Sequence, residues 1–123
     1  RVRVTSMSML LLLAALASPT QHADPEIGRE VKRISSAANG GISDWQEGED
    51  GSTVYLRGPG RWYRVTLSGP CIDFATSPRL LFRTQSDGSF DRFSTIAVAN
   101  EPRRTCGVEA IHQSGDPRRS RGD

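Results

Sequence analysis

The side chains best suited to bind a ligand lie in the stretch GPGRWYRVTLSGPC, residues 58–71. Neighbouring residues of a β-strand point to opposite faces, so the adjacent Trp62 and Tyr63 cannot both enter the core of one sheet. Tyr63 shares its face with two aliphatic residues, whereas Trp62 shares the other face with Arg64. Tyr55, on the preceding predicted strand, is expected on that same outer face. An indole, a phenol and a guanidinium in one place predict a platform that stacks a ring or another planar ligand.

A structural role for Trp62 is the simpler interpretation of the same face. Residues 24–39, DPEIGREVKRISSAAN, have the pattern of a short amphipathic helix, with an Asp-Pro start, an Asn-Gly stop and apolar residues at three- and four-residue intervals. Such a helix could lie on the outer face and bury the indole. A lone tryptophan beside an arginine often packs in this way, so we prefer packing to ligand contact.

The two cysteines, Cys71 and Cys106, are predicted to form a disulfide. An even cysteine count in an exported chain favours a bridge. A redox-active pair or a metal site is the weaker alternative, because the spacing is not C-x-x-C. The bridge would close a loop of about 35 residues and stabilise the fold by roughly 3–4 kcal/mol in the chain-entropy model.

The other polar clusters match no catalytic, metal-binding or cofactor-binding pattern. The acidic segment 44–50 lacks the terminal carboxylate of an EF-hand loop and is predicted to be a solvated turn. His22 and His112 suggest neither a metal site nor a catalytic triad, and the serines lack a G-x-S-x-G setting. An enzymatic function is therefore disfavoured. The alternative that stays open is a small enzyme in which carboxylates distant in sequence, such as Asp73 and Asp91, lie close together in the folded protein.

The first 17 residues are predicted to be a signal peptide. Arg1 and Arg3 precede the apolar run MSMLLLLAALA, residues 7–17, which ends in a small-x-small pattern. The run is much shorter than the ~20 residues that a membrane-spanning helix needs, so no permanent membrane span is predicted. Cleavage is expected after Ala17, with a cut after Ala23 as the alternative.

Removal of this segment changes the charge balance. The chain has 16 basic and 14 acidic residues, and the two arginines of the signal peptide leave 14 of each. A net charge of zero gives no reason to expect a nucleic-acid partner, since such proteins usually carry a clustered basic excess.

Beyond residue 40 the hydrophobic period changes to two, which predicts six short strands separated by glycine- and proline-rich turns. These strands are residues 42–46, 53–57, 61–67, 79–84, 92–99 and 105–112. The predicted fold is mostly β (α+β): a small curled antiparallel sheet or barrel-like domain over residues 41–113, with the helix of residues 24–39 and one disulfide. The polar tail, residues 114–123, is expected to be disordered.

Several motifs together carry a resemblance to a known group of proteins. They are ISDW (42–45), VYL (54–56), GRWYR (60–64), GPC (69–71), FDRFSTI (90–96) and CGV (106–108). Over about residues 41–112 the chain resembles small exported proteins of Gram-negative bacteria that are classed as a domain of unknown function. The resemblance implies export and one disulfide-linked domain, and it carries over no catalytic residue, cofactor or partner.

The chain is predicted to be a periplasmic or secreted protein of the cell envelope. Its predicted function is non-catalytic: it binds a partner or has a structural role. Its expected partner is an envelope protein or a small ligand, contacted by Trp62, Arg64 and Tyr55. A small periplasmic enzyme is the first alternative. The second is a protein inhibitor that inserts a rigid turn, residues 58–60 or 85–89, into a partner's cleft.

Overall fold

The structure of the protein is a computed structural model that describes residues 25–76 and 78–118. Within these residues the backbone forms nine β-strands and one 3-10 turn, Phe74–Thr76. The strands are β1 (Ile27–Val31), β2 (Arg33–Ile34), β3 (Asp44–Glu47), β4 (Thr53–Gly58), β5 (Arg61–Leu67), β6 (Leu80–Arg83), β7 (Phe90–Asp91), β8 (Thr95–Val98) and β9 (Glu101–Ser114).

Six of these strands form a curled, antiparallel half-barrel in the order β3-β4-β5-β9-β8-β6. β1 pairs with β9 outside this path, and β2 and β7 form a separate two-stranded pair. β9 is 14 residues long and joins the two halves of the sheet, because its first half pairs with β8 and its second half with β5. The prediction of a mostly β, curled antiparallel fold is confirmed.

The concave side of the sheet holds one hydrophobic core. Val54, Val65 and Ile111 lie opposite one another on three adjacent strands, and all three are fully buried. This row follows from the alternation of β-strands, which places every second residue on the same face. Burial of such aliphatic side chains supplies most of the stabilising free energy of a small domain.

The predicted disulfide between Cys71 and Cys106 is confirmed, with 6.2 Å between the two Cα atoms. Cys106 lies in β9 and belongs to the core cluster, whereas Cys71 follows β5 in the loop that leads to the 3-10 turn. The bridge therefore fixes this loop to the centre of the sheet.

The six predicted strands all overlap an observed one, and the predicted hairpin of β4 and β5 is present. Its register runs from Thr53 opposite Thr66 to Gly58 opposite Arg61. Gly60 in the turn has a φ of 80°, a conformation that glycine adopts without the steric cost other residues meet.

The predicted helix of residues 24–39 is wrong. In the part of this segment that the structure describes, the chain forms β1 and β2 and then a turn in which Ser36 and Asn39 have positive φ angles. The amides of Ala37 and Ala38 donate to the carbonyl of Gly88, far away in sequence. The backbone N–H and C=O groups of this segment therefore form hydrogen bonds with β9, β7 and the 85–89 turn, whereas in a helix they would bond to one another.

The predicted signal peptide, with either cleavage site, lies outside the described residues. Among residues 25–76 and 78–118, no helix is long and apolar enough to cross a membrane.

Candidate functional site

The candidate site is the outer face, which we define as the side of β1, β3, β4, β5 and the second half of β9 that points away from the core. Strand register places a row of five polar or aromatic residues straight across this face. In strand order from β3 to β1 they are Gln46, Tyr55, Arg64, His112 and Glu30. Directly opposite residues have Cβ atoms about 5 Å apart, so neighbours in this row are within reach of one another.

A second row lies two residues along the strands on the same face. It consists of Asp44, Arg57, Trp62, Ser114 and Ile27, again in the order from β3 to β1. Three features with binding chemistry thus meet on β4 and β5: an indole, a phenol and two guanidinium groups.

The structure brings the three predicted ligand-binding residues together. Tyr55 and Arg64 are directly opposite in the hairpin, and Trp62 is two residues before Arg64 on the same face of β5. Tyr55 and Trp62 are only 6% and 4% exposed, although neither belongs to the core cluster. The helix expected to cover Trp62 is absent, and the strand formed in its place, β1, extends the sheet at its edge.

The segment after β9 covers part of the outer face. The Arg118 guanidinium carbon is 5.2 Å from the centroid of the Trp62 ring, a cation–π distance. Arg118 also forms an ion pair with Asp44, and the preceding Pro117 is buried. We call residues 115–118 the C-terminal strap. The disorder predicted for residues 114–123 stays a prediction, and residues 119–123 of this tail lie outside the described part.

The strap is held by weak contacts as well as by packing. The amide of Gly115 donates to the carbonyl of Glu26, which fixes the first residue of the strap beside β1. The side chains of Arg118 and Asp44 are 48% and 46% exposed, and an ion pair this accessible to water contributes at most about 1 kcal/mol. The ion pair therefore adds little to the packing of Pro117 and the Gly115 hydrogen bond that hold the strap.

Two N–H donors on the outer face are buried without an acceptor among the described residues. Within residues 25–76 and 78–118, the Nε1 atom of Trp62 and the Nε atom of Arg64 have no hydrogen-bond partner, although neither reaches solvent. More than nine in ten buried polar groups in folded proteins are paired, and leaving one unpaired costs about 1–3 kcal/mol. Two such donors lie two residues apart on one face of β5, where each could donate to an acceptor other than the described residues.

The positive charge of this face is only partly balanced. Arg57 and Arg64 form no ion pair with another residue among 25–76 and 78–118, and the Asp44 carboxylate is engaged by Arg118. Arg57 lies directly opposite Trp62, so unpaired guanidinium groups flank the indole on two sides.

Sequence reasoning missed several residues of this site. Arg118 was assigned to a disordered tail, and His112 and Glu30 had no visible connection to Arg64. Alternation along β9 could have placed His112 on a face, but only the pairing of β9 with β5 and β1 puts it in the row. Strand order is a tertiary property that no local pattern encodes.

The acidic segment 44–50 is a turn at its C-terminal end, as expected. The Asp50 carboxylate accepts hydrogen bonds from the hydroxyl and the amide of Ser52, and these bonds hold the pKa of Asp50 below its usual range. Within residues 25–76 and 78–118, no three histidine, cysteine, aspartate or glutamate side chains are grouped so that they could hold a metal ion.

The carboxylates considered for catalysis each have local structural partners. Asp73 caps the 3-10 turn by accepting from the amide of Ala75, and Asp91 accepts from the amide of Phe93 and from the Gln85 side chain. Asp73 also lines an open cleft of about 500 Å³ beside the disulfide.

The 85–89 turn, considered as an inhibitory loop, is built into the fold. Its Asp87 carboxylate accepts from the hydroxyl and the amide of Ser89, which lowers the pKa of Asp87. Its Gly88 carbonyl accepts hydrogen bonds from the amides of Ala37 and Ala38.

Comparison with protein families gives one assignment. A family model described as a family of unknown function, DUF6491, matches residues 1–119. The chain belongs to this family. Comparisons with curated proteins and with solved structures give no match. Membership of DUF6491 agrees with the resemblance to a domain of unknown function, and it assigns no activity to the outer face.

Proposed function

We propose that this DUF6491 protein is an exported, non-catalytic binding module of a Gram-negative cell envelope, and that it binds a small ligand on the outer face. The single observation that carries the binding role is the pair of unpaired, buried donors on Trp62 and Arg64. Tyr55 lies opposite Arg64 in the hairpin and Arg118 of the C-terminal strap lies over the Trp62 ring, so both side chains are available to contact a bound group.

Two observations support the exported location. The Cys71–Cys106 disulfide suggests an oxidising compartment, because disulfides persist there and are rare in the cytosol of most organisms. The apolar run of residues 7–17 after two arginines has the composition of a signal peptide.

The non-catalytic role is supported by what the outer face offers a ligand. Indole, phenol and guanidinium groups bind and orient planar or anionic groups. Nucleophilic catalysis would need a free hydroxyl or thiol with an adjacent base, whereas the Ser114 hydroxyl of this face donates to the Gly115 carbonyl and the two cysteines are joined in the disulfide.

The test is mass spectrometry of the protein recovered from the envelope fraction of producing bacteria. We expect a chain that starts at Ser18, or at Asp24 for the alternative cleavage, with no free thiol. Under native conditions it should carry an additional mass that leaves on denaturation.

Two matched variants locate the ligand. Arg64→Met removes both the charge and the Nε–H donor from the outer face and should abolish the additional mass. Arg61→Met makes the same change at an exposed position on the opposite face of the same strand and should keep the additional mass. A folded wild-type protein that never carries an additional mass, or an equal mass on both variants, would refute the proposed site.

A further inference from the structure

The chemistry of the unpaired groups defines what the missing partner must be. Both the Trp62 Nε1 and the Arg64 Nε are donors, so the partner is an acceptor. The charge next to the indole is positive, with Arg57 opposite it and Arg118 over its ring, whereas Glu30 lies at the far end of the row, two strands from Arg64. The Asp44 carboxylate of this face is already engaged by Arg118. An acceptor that also carries negative charge therefore fits best, because hydrogen bonds to an ionised acceptor are shorter and stronger.

The number and placement of the donors favour one kind of anion. Trp62 and Arg64 are two residues apart on one face of β5, which separates their Cα atoms by about 6–7 Å. A carboxylate has two oxygens and can accept one N–H from each side chain. It carries a single charge, so it loses less hydration free energy on burial than a doubly charged phosphate.

We infer that the ligand of the outer face is a small carboxylate-bearing molecule, whose carboxylate accepts from Trp62 Nε1 and Arg64 Nε beneath the C-terminal strap. The inference rests on the proposed function, because it names the ligand class of the same site. Since both nitrogens are shielded from solvent, neighbouring groups must move for the ligand to reach them, and the strap, whose Arg118 lies over the Trp62 ring, is the segment that we expect to move.

The test uses the full oxidised mature chain, labelled with 15N, in a titration followed by proton–nitrogen NMR. The chain has two tryptophans, so two indole N–H signals are expected, and a Trp45→Phe variant identifies the one from Trp62. The Nε–H signal of Arg64 is the one lost in Arg64→Met. The probes are benzoate, its neutral analogue benzamide, and inorganic phosphate.

Benzoate should shift the Trp62 indole signal and the Arg64 Nε–H signal saturably, and benzamide should bind at least about tenfold more weakly because it lacks the charge. Arg64→Met, which has no N–H donor at this position, should weaken benzoate binding by about tenfold or more, whereas Arg61→Met should leave it unchanged. Arg64→Lys should not restore it, because a lysine keeps the charge and lacks the fixed Nε–H.

The inference is overturned if benzamide is as effective as benzoate, if phosphate binds more tightly, or if no probe moves either signal. These failures are distinct from a failure of the proposed function. A native mass that depends on Arg64 while benzoate has no effect would retain the site and reject its ligand class. The absence of both an Arg64-dependent mass and any probe-dependent shift would reject the site and the ligand class together.

Discussion

Replacing Arg64 by methionine should stabilise the ligand-free protein. Methionine keeps the apolar stem that packs on the outer face and removes the Nε–H group that has no acceptor. It also removes a half-buried charge that forms no ion pair among the described residues. Residues of a binding site often lower the free energy of unfolding of the ligand-free protein, and contacts with the bound ligand compensate for this loss.

The magnitude follows from the unpaired donor. A buried polar group without a partner costs about 1–3 kcal/mol, and the partial exposure of Arg64 places the effect at the lower end. We therefore expect the free energy of unfolding to rise by about 1–2 kcal/mol. For a domain of this size class that corresponds to an increase in the melting temperature of roughly 4–16 °C.

The assay is equilibrium unfolding of the oxidised protein in urea, with Arg61→Met as the matched control. Arg61 is exposed at the start of β5, so its replacement should change stability by less than about 0.5 kcal/mol. The denaturant dependence should be the same in all three proteins, because the surface exposed on unfolding hardly changes. A destabilisation by Arg64→Met would mean that Arg64 is satisfied in the free protein and would refute the reasoning.

Three other perturbations have expected outcomes. Replacing Cys71 and Cys106 by alanine should lower stability by about 4 kcal/mol, because the bridge spans 35 residues; a loss below about 1 kcal/mol in urea unfolding would contradict this. Ser89→Ala should raise the pKa of Asp87 toward its usual value, as measured by carbon NMR. Since a lowered folded pKa stabilises only above the unfolded pKa, the stability difference from wild type should shrink as the pH falls below about 4. Arg118→Gln should make the indole more accessible to acrylamide at a cost of about 0.5–1 kcal/mol, and unchanged quenching would show that the strap does not cover it.

The strands after residue 40 could be predicted because their local signals agree with their tertiary setting. In β4 and β5 the aliphatic residues alternate with polar ones, and a Gly-Pro-Gly turn separates the two runs. The core face follows directly, with Val54 and Val65 buried opposite each other. The disulfide could also be predicted from the sequence, because two cysteines allow only one pairing.

The segment of residues 24–39 could not be assigned correctly from local pattern. Its apolar residues recur at three- and four-residue intervals, and this spacing also fits a short edge strand followed by a tight turn. Ile34 is buried in the core because β2 pairs with β7, not because it lies on a helical stripe. Hydrogen bonds to Gly88 and pairing with β9 decide the conformation, and both are remote in sequence.

Only part of the candidate site could be predicted from the sequence. Strand alternation places Trp62 and Arg64 on one face, and hairpin pairing adds Tyr55. The lack of an acceptor for two N–H groups depends on the positions of every neighbouring atom, so only the structure reveals it. The position of Arg118 over the Trp62 ring could not be predicted either, because the polar sequence after β9 is typical of a frayed terminus.

The most direct measurement is a high-resolution crystal structure of the oxidised protein purified from the bacterial envelope without refolding. We expect a bound molecule that is not water, with acceptor atoms about 2.7–3.2 Å from both the Trp62 Nε1 and the Arg64 Nε. Carbonyl or carboxylate oxygens of the chain itself at these two nitrogens, or ordered water alone, would contradict the claim that the outer face is a ligand-binding site.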